Sequence, residues 1–362
     1  MRRSRGLWTR IAGYRSRTPC LPQVRPTHTH VVLLDGTMSS LLRGRETNIG
    51  LTYRLLSELP ASAQLTLYYE PGIQWRGLRR AHEVIAGIGL NRQIRRAYLF
   101  LARNYAPGDR IVLMGYSRGA YAVRSLAGLI DRMGLLRPAQ IDEETLDRVY
   151  RLYREAPDSV EARALKAARC HMQVPVDFLG AYDTVRALGV RWPVLWRFMP
   201  LPHPYHSDAL GPSTRVARHA LALDERRDVY APLLWNVPDE AASSRAVQQM
   251  WFRGSHGDVG GQLEGFNAAR PLANIPLVWM LGEAEAAGLP LPPLWRMRYI
   301  TDPGAPSVGT THGMGRMFVF RHARKVGRDP SELIHPTARG VAAARGIRLP
   351  APRPAAHPAA PA

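Results

Sequence analysis

One run limits the possible folds more than any other: Ile111-Val-Leu-Met-Gly-Tyr-Ser-Arg-Gly-Ala-Tyr-Ala-Val-Arg-Ser-Leu-Ala-Gly-Leu-Ile130. Its apolar start is too short for a buried helix and breaks at Gly115, after which Ala120, Val123, Ala127 and Ile130 recur at helical spacing. The pattern reads strand, tight turn, helix. The turn is Gly115-x-Ser117-x-Gly119, where glycines let the backbone bend sharply and neighbouring segments approach with no Cβ in the way. Such a turn holds one hydroxyl beyond the carboxyl end of a strand and at the start of a helix. There the Arg118 N–H and the positive end of the helix dipole meet a developing oxyanion. Ser117 is therefore the candidate nucleophile; the alternative is an ordinary strand-to-helix turn.

Other segments repeat the alternation. His30 to Leu34 is a fully apolar strand ending in Asp35-Gly36-Thr37. That loop has two readings: an Asx turn, or an oxyanion-hole loop in which Gly36 supports the site. Aspartyl-phosphate chemistry is excluded, because it wants a D-x-D pair and Leu33 and Thr37 stand at the partner positions. Helices are expected over Asn48 to Glu58 and Asn91 to Asn104, with a strand over Ala63 to Tyr69. A solvent-exposed helical excursion is expected over 141–171. Val176 to Tyr182 reads as a strand that delivers Asp183, and Arg215 to Arg227 as a helix whose charges pair at helical spacing, with His219 a packing histidine. Ala246 to Phe252 is a further strand, running into Gly254-Ser-His-Gly-Asp-Val-Gly-Gly261. Strand, crossover helix, strand throughout specifies an α/β fold: a mostly parallel central sheet with helices on both faces, which binds ligands beyond the carboxyl edges of its strands.

A chain of 362 residues with 46% apolar residues has ample material for one such domain, placed at 28–345. The formal charge of +20 directs some surface toward anions, with arginine-rich composition as the plain alternative. Seven arginines between Arg2 and Arg25 precede the first acidic residue, Asp35, so 1–27 reads as a mobile basic arm with no secretory apolar core; an organelle leader has the same composition. The Pro/Ala-rich stretch 346–362 reads as a tail, and the aromatic, proline-broken segment 190–206 as a lid or a packed cap. The two cysteines, Cys20 and Cys170, make neither a disulfide framework nor a zinc site, and no metal or other cofactor is expected. No apolar run is long enough to span a bilayer. The expected location is cytoplasmic or peripheral to a membrane.

A serine hydroxyl becomes a nucleophile when an imidazole takes its proton, and the imidazole needs a carboxylate to fix its tautomer. Ser117, Asp183 and His256 follow three apolar strands in the chain order of α/β-hydrolases. Asp258 is the alternative acid, with a turn-stabilising role as the preferred reading.

Six motifs in order, Leu34-Asp-Gly-Thr37, Tyr69-Glu-Pro-Gly72, Gly115-Tyr-Ser-Arg-Gly-Ala-Tyr121, Gly180-Ala-Tyr-Asp-Thr-Val185, Arg218-His-Ala-Leu-Ala-Leu-Asp-Glu-Arg-Arg227 and Trp251-Phe-Arg-Gly-Ser-His-Gly-Asp-Val-Gly-Gly261, resemble the DUF2235 family. That family includes the catalytic region of type VI secretion phospholipase effectors of the Tle1 type. The resemblance runs from about Val31 to Leu289, with His335-Pro336 extending it. It implies an α/β-hydrolase acting on phospholipid acyl esters through Ser117, Asp183 and His256. It also implies a secretion-system or immunity partner and export by a non-Sec route, with no nucleic acid. Two departures stand out: Ile73-Gln-Trp-Arg76 replaces a glycine-rich segment, and no sizeable carboxyl-terminal domain follows. A non-catalytic basic protein that binds anionic membranes or polymers is the competing reading.

Overall fold

The computed structural model describes residues 25–72, 88–185, 210–238, 246–311 and 318–349. The segment 190–206, nearly all of the basic arm and most of the Pro/Ala tail lie outside the described residues.

The organising sheet has seven strands in the order β2-β1-β3-β6-β7-β8-β9, every neighbouring pair parallel. In chain order they are β1 (Thr29–Leu34), β2 (Leu65–Glu70), β3 (Arg110–Tyr116), β6 (Phe178–Tyr182), β7 (Ala217–Ala222), β8 (Val247–Phe252) and β9 (Glu332–Ile334). Helices cover both faces, which is why the inner strands lack alternation. In β1 Val32 and Leu34 face one apolar cluster while Val31 and Leu33 face another. The first cluster contains α2 (Ile88–Asn104) and α3 (Arg118–Met133); the second contains α1 (Asn48–Ser57) and α7 (Arg270–Ala286). This is an α/β-hydrolase-like architecture. Among the described residues no helix is long and apolar enough to cross a membrane.

The topology chooses the place of the site. From β1 the chain moves outward to β2, then crosses back over β1 to β3 and continues the other way. Crossovers of opposite sense leave a crevice beyond the carboxyl ends of β1 and β3. The Asp35 loop and Ser117 both open into that crevice.

The excursion between β3 and β6 is a pair of helices, α4 (Glu143–Glu155) and α5 (Val160–Arg169), closed by a short antiparallel ribbon of β4 (Leu135–Leu136) and β5 (Cys170–His171). It is amphipathic rather than wholly exposed, since Val149, Leu152 and Leu165 join the core. The helix expected over Arg215 to Arg227 is instead β7, an interior strand. The charges spread over Arg215 to Arg227 imitate a helix, but Arg218 pairs with Glu283 of α7 (2.7 Å) and His219 is buried within the sheet. Partners from distant segments outweigh local propensity in a strand enclosed on both sides. Order also extends beyond 28–345: Arg25 pairs with Asp109 (2.9 Å), and Ile347 and Leu349 pack on the cluster under β8 and β9.

Candidate active site

Ser117 caps α3 with φ 57° and ψ −117°, a conformation that side chains other than glycine rarely adopt. The backbone persists in it because its surroundings leave no alternative. Ser117 N–H continues the sheet by donating to Tyr182 O (2.9 Å). A Cβ on Gly115 would lie 2.4 Å from Gly119 O, and one on Gly119 would lie 2.1 Å from Leu34 O. Both glycines are there for close approach, and they press the start of α3 onto the end of β1.

Asp183 ends β6 and also has a positive φ, 42°. Its fully buried carboxylate accepts from Ala222 N–H (2.9 Å) and faces His256 Nδ1 at 2.6 Å. His256 opens the short helix α6 (His256–Gly260), and its Nε2 lies 2.9 Å from Ser117 Oγ. With Nδ1–H directed at a carboxylate, Nε2 is left to accept the serine hydroxyl. The structure thus brings Ser117, His256 and Asp183 into one chain of hydrogen bonds at the carboxyl edge of the sheet. Ser117 and His256 are only 6% and 5% exposed, so the pair is largely shielded from water.

Asp258 has a different place. It accepts from Ser255 N–H and Oγ (2.7 and 2.8 Å), Ser307 Oγ (2.5 Å) and Val308 N–H (2.8 Å). With Ser255 it forms a capping box that starts α6 where a turn was expected, and it pins the 302–309 loop beneath it. It makes no hydrogen bond to the imidazole.

In the Asp35-Gly36-Thr37 loop the Asp35 carboxylate bonds the N–H of the very next residue, one short of the two-residue span of an Asx turn. Gly36 N–H is committed to Asp35 Oδ1 (2.7 Å), so it is not offered to the crevice, and Gly36 supports the turn by lying flat against the Tyr116 ring. Thr47 Oγ1 and Tyr69 Oη also donate to the Asp35 carboxylate, and burial pushes its pKa up to about 6. His219 accepts Thr184 N–H on Nε2 (3.0 Å) and faces Gln249 Oε1 with Nδ1 (3.3 Å). Burial pushes its pKa down to about 3, so it is a neutral packing histidine at physiological pH.

Four further residues complete the site. Arg324 grips Asp183 with both terminal nitrogens, Nη1 to Oδ1 at 2.5 Å and Nη2 to Oδ2 at 2.8 Å. Burial alone would raise the Asp183 carboxyl, but this guanidinium and the imidazole outweigh it and hold the group well below the ordinary carboxylate range. Glu225 accepts His256 N–H (3.0 Å) and pairs with Arg227 (2.7 Å). Tyr116 and Tyr230 enclose the imidazole, with ring centroids at 4.9 and 4.4 Å. Tyr116 is the unspecified residue of the Gly-x-Ser motif and carried a positional signal. Arg324 carried none, since 141 residues separate it from Asp183.

The family described as "T6SS, Phospholipase effector Tle1-like, catalytic domain" matches residues 28–283. An uncharacterised protein of Saccharomyces cerevisiae is 28% identical over 235 residues, 56% of this chain and 32% of its own. Two solved structures are also similar. An uncharacterised protein from Pseudomonas aeruginosa has a TM-score of 0.39 and 16% identity over 76% of this chain and 48% of its own. A Tle1 effector bound to the VgrG spike of a type 6 secretion system has 0.33 and 17% over 65% and 51%. The chain spans about a third of the curated relative and about half of each solved chain.

Proposed function

The chain belongs to the type VI secretion phospholipase effector Tle1-like catalytic-domain family, and from that premise we propose that it is a serine hydrolase cleaving phospholipid acyl esters through an acyl-enzyme on Ser117. The observation that carries the reading is the imidazole of His256, set between Ser117 Oγ at 2.9 Å and Asp183 Oδ2 at 2.6 Å. In this reading Ser117 Oγ attacks the acyl carbonyl while His256 Nε2 takes its proton. The oxyanion of the tetrahedral intermediate faces the Arg118 N–H at the head of α3, where the helix dipole adds to the donor. Collapse breaks the bond to the alcohol, which leaves as a lysolipid with the proton from His256. Water, deprotonated by the same nitrogen, then attacks the acyl-enzyme and releases the fatty acid. Asp183 holds the imidazole in the required tautomer and stabilises the cation, and Arg324 and Ala222 N–H fix Asp183 in turn.

The same membership supports delivery by a type VI secretion system, which needs no Sec signal, and an immunity partner. The net charge of +20 supports peripheral contact with anionic membranes. The decisive experiment is labelling by a fluorophosphonate together with hydrolysis of a diacyl phospholipid. Wild type is expected to be labelled and active. Ser117→Ala is expected to melt like wild type, resist labelling and lose on the order of 10⁶ in kcat. A folded Ser117→Ala that keeps most of its activity overturns the assignment. An unlabelled, inactive wild type returns the chain to a non-catalytic basic binding protein.

A further inference from the structure

Among the described residues three arginines stand around the Ser117–His256 pair, and their partners differ. Arg324 is neutralised by Asp183. Arg227 lies over the Tyr230 ring, 4.3 Å from its centroid, and is neutralised by Glu225. Arg118, the residue after the nucleophile, has only an uncharged partner: its Nε donates to Thr37 Oγ1 at 2.5 Å. Among the described residues no carboxylate lies within ion-pair distance of it, and its two terminal nitrogens make no hydrogen bond.

Its position is bracketed from two sides. Thr37 stands in the loop beyond β1, at the crevice of the sheet. The charge of Arg118 also interacts with Tyr230, whose ring stacks on His256. Desolvation brings its pKa down to about 10, which leaves it cationic at physiological pH. The Arg118 side chain is partly buried at this crevice, and a partly desolvated guanidinium with no carboxylate partner among the described residues carries an uncompensated charge. Such a charge is compensated when a ligand brings the anion.

We propose that Arg118 is the anion-reading group of this site and binds the phosphodiester of a glycerophospholipid whose acyl ester lies at Ser117. The inference rests on the reading of Ser117 as the nucleophile and adds to it the side chain that recognises the substrate's phosphate. With Nε tethered to Thr37, the planar fork presents its terminal N–H groups, a geometry suited to two phosphate oxygens. In a glycerophospholipid the phosphate lies a few bonds from the acyl ester, within reach of a long side chain next to the nucleophile. Di- and triacylglycerols present the same ester without the anion. Arg118 would thus separate phospholipids from neutral lipids, and Thr37 is the positioning residue that aims it.

The test compares the full chain with Arg118→Gln and Arg118→Lys on two soluble substrates, a short-chain diacyl phosphatidylcholine below its micelle threshold and a p-nitrophenyl butyrate. Hydrogen bonds to charged groups of about 1.5–3 kcal/mol predict that Arg118→Gln loses about 10- to 100-fold in kcat/KM on the phospholipid, chiefly in KM, and several-fold less on the neutral ester. Arg118→Lys should recover part of the phospholipid loss. Inorganic phosphate should inhibit wild-type butyrate hydrolysis competitively and raise the melting temperature at matched ionic strength, and both effects should vanish in Arg118→Gln. Equal losses on both substrates, or phosphate effects that persist in Arg118→Gln, overturn the proposal. If wild type resists fluorophosphonate and hydrolyses neither substrate, the nucleophile reading fails, while the phosphate-dependent melt still judges Arg118. If butyrate is cleaved but phosphate and Arg118 have no bearing on either substrate, only the anion-reading role fails.

Discussion

Replacing Arg324 by Met removes the cation from a carboxylate that has no access to water. Arg324 is 4% and Asp183 0% exposed by side chain, so solvent cannot substitute for the guanidinium. Two charge-assisted hydrogen bonds disappear, and Asp183 keeps only Ala222 N–H and His256 Nδ1. Breaking a buried pair from one side costs about 3–5 kcal/mol, because the remaining charge is stranded. Arg324 also donates to Ala222 O and Tyr230 O, so its loss releases the segment whose ring stacks on His256. Chemical denaturation of Arg324→Met at pH 7 should therefore show a deficit of about 3–5 kcal/mol, with reduced ester hydrolysis in the folded fraction. The deficit has a pH signature. Because the native carboxyl titrates below its unfolded value of 3.8, the wild-type pair contributes fully above that value. In the variant the carboxyl takes up a proton more easily, so the deficit should shrink as pH falls toward the ordinary carboxylate range. Adding Asp183→Asn to Arg324→Met removes the stranded charge, and the double variant should be more stable than additivity predicts by over about 1 kcal/mol. A deficit below about 1 kcal/mol, or additivity within about 0.5 kcal/mol, would refute the clamp.

Asp183→Asn should lose roughly 10⁴ in kcat by favouring the wrong imidazole tautomer, whereas Asp258→Asn should lower the melting temperature with a much smaller effect on rate; one ester assay and two melts decide between the two carboxyls. Asp35 supplies a stability test of opposite sign. Its native pKa near 6 against 3.8 unfolded means that the native state holds the extra proton, so its contribution is present at acid pH and is lost as pH rises through 6, by about 3 kcal/mol in all. The stability of wild type relative to Asp35→Asn should fall by up to that amount between pH 4 and 7, and a pH-independent difference would contradict the burial effect. Finally, if the basic surface meets membranes, hydrolysis of anionic vesicles should exceed that of neutral ones and decline as salt shortens the Debye length to about 10 Å at 0.1 M. Salt that slows soluble short-chain esters equally would remove the membrane from the explanation.

Backbone requirements were legible in the sequence wherever one short segment imposes them. The apolar run into Gly115-x-Ser117-x-Gly119 carries the strand, the bend and the helix in contiguous residues, and the absence of alternation in β1 and β3 already means a sheet covered on both faces. That Ser117, Asp183 and His256 share one edge was legible because each follows an apolar strand, and parallel strands put such ends together. Local patterns misled where a residue's partner is remote. The charges from Arg215 to Arg227 read as a helix, yet Arg218, His219 and Glu225 face Glu283, Thr184 and the His256 N–H, and those contacts make the segment an interior strand and a support for α6. The loop after β1 admitted two roles until folding directed Gly36 N–H to Asp35 and Thr37 Oγ1 to Arg118. Asp258 was separated from Asp183 only by the capping box, because proximity in sequence does not specify which way a carboxylate turns. The arginines are the clearest case. Side-chain type states the charge of Arg118 and Arg324 equally, and only the tertiary structure decides that Arg324 meets the carboxylate of Asp183 while Arg118 meets the hydroxyl of Thr37, because pairing is set by distances of a few ångströms between segments that the chain holds 141 and 81 residues apart.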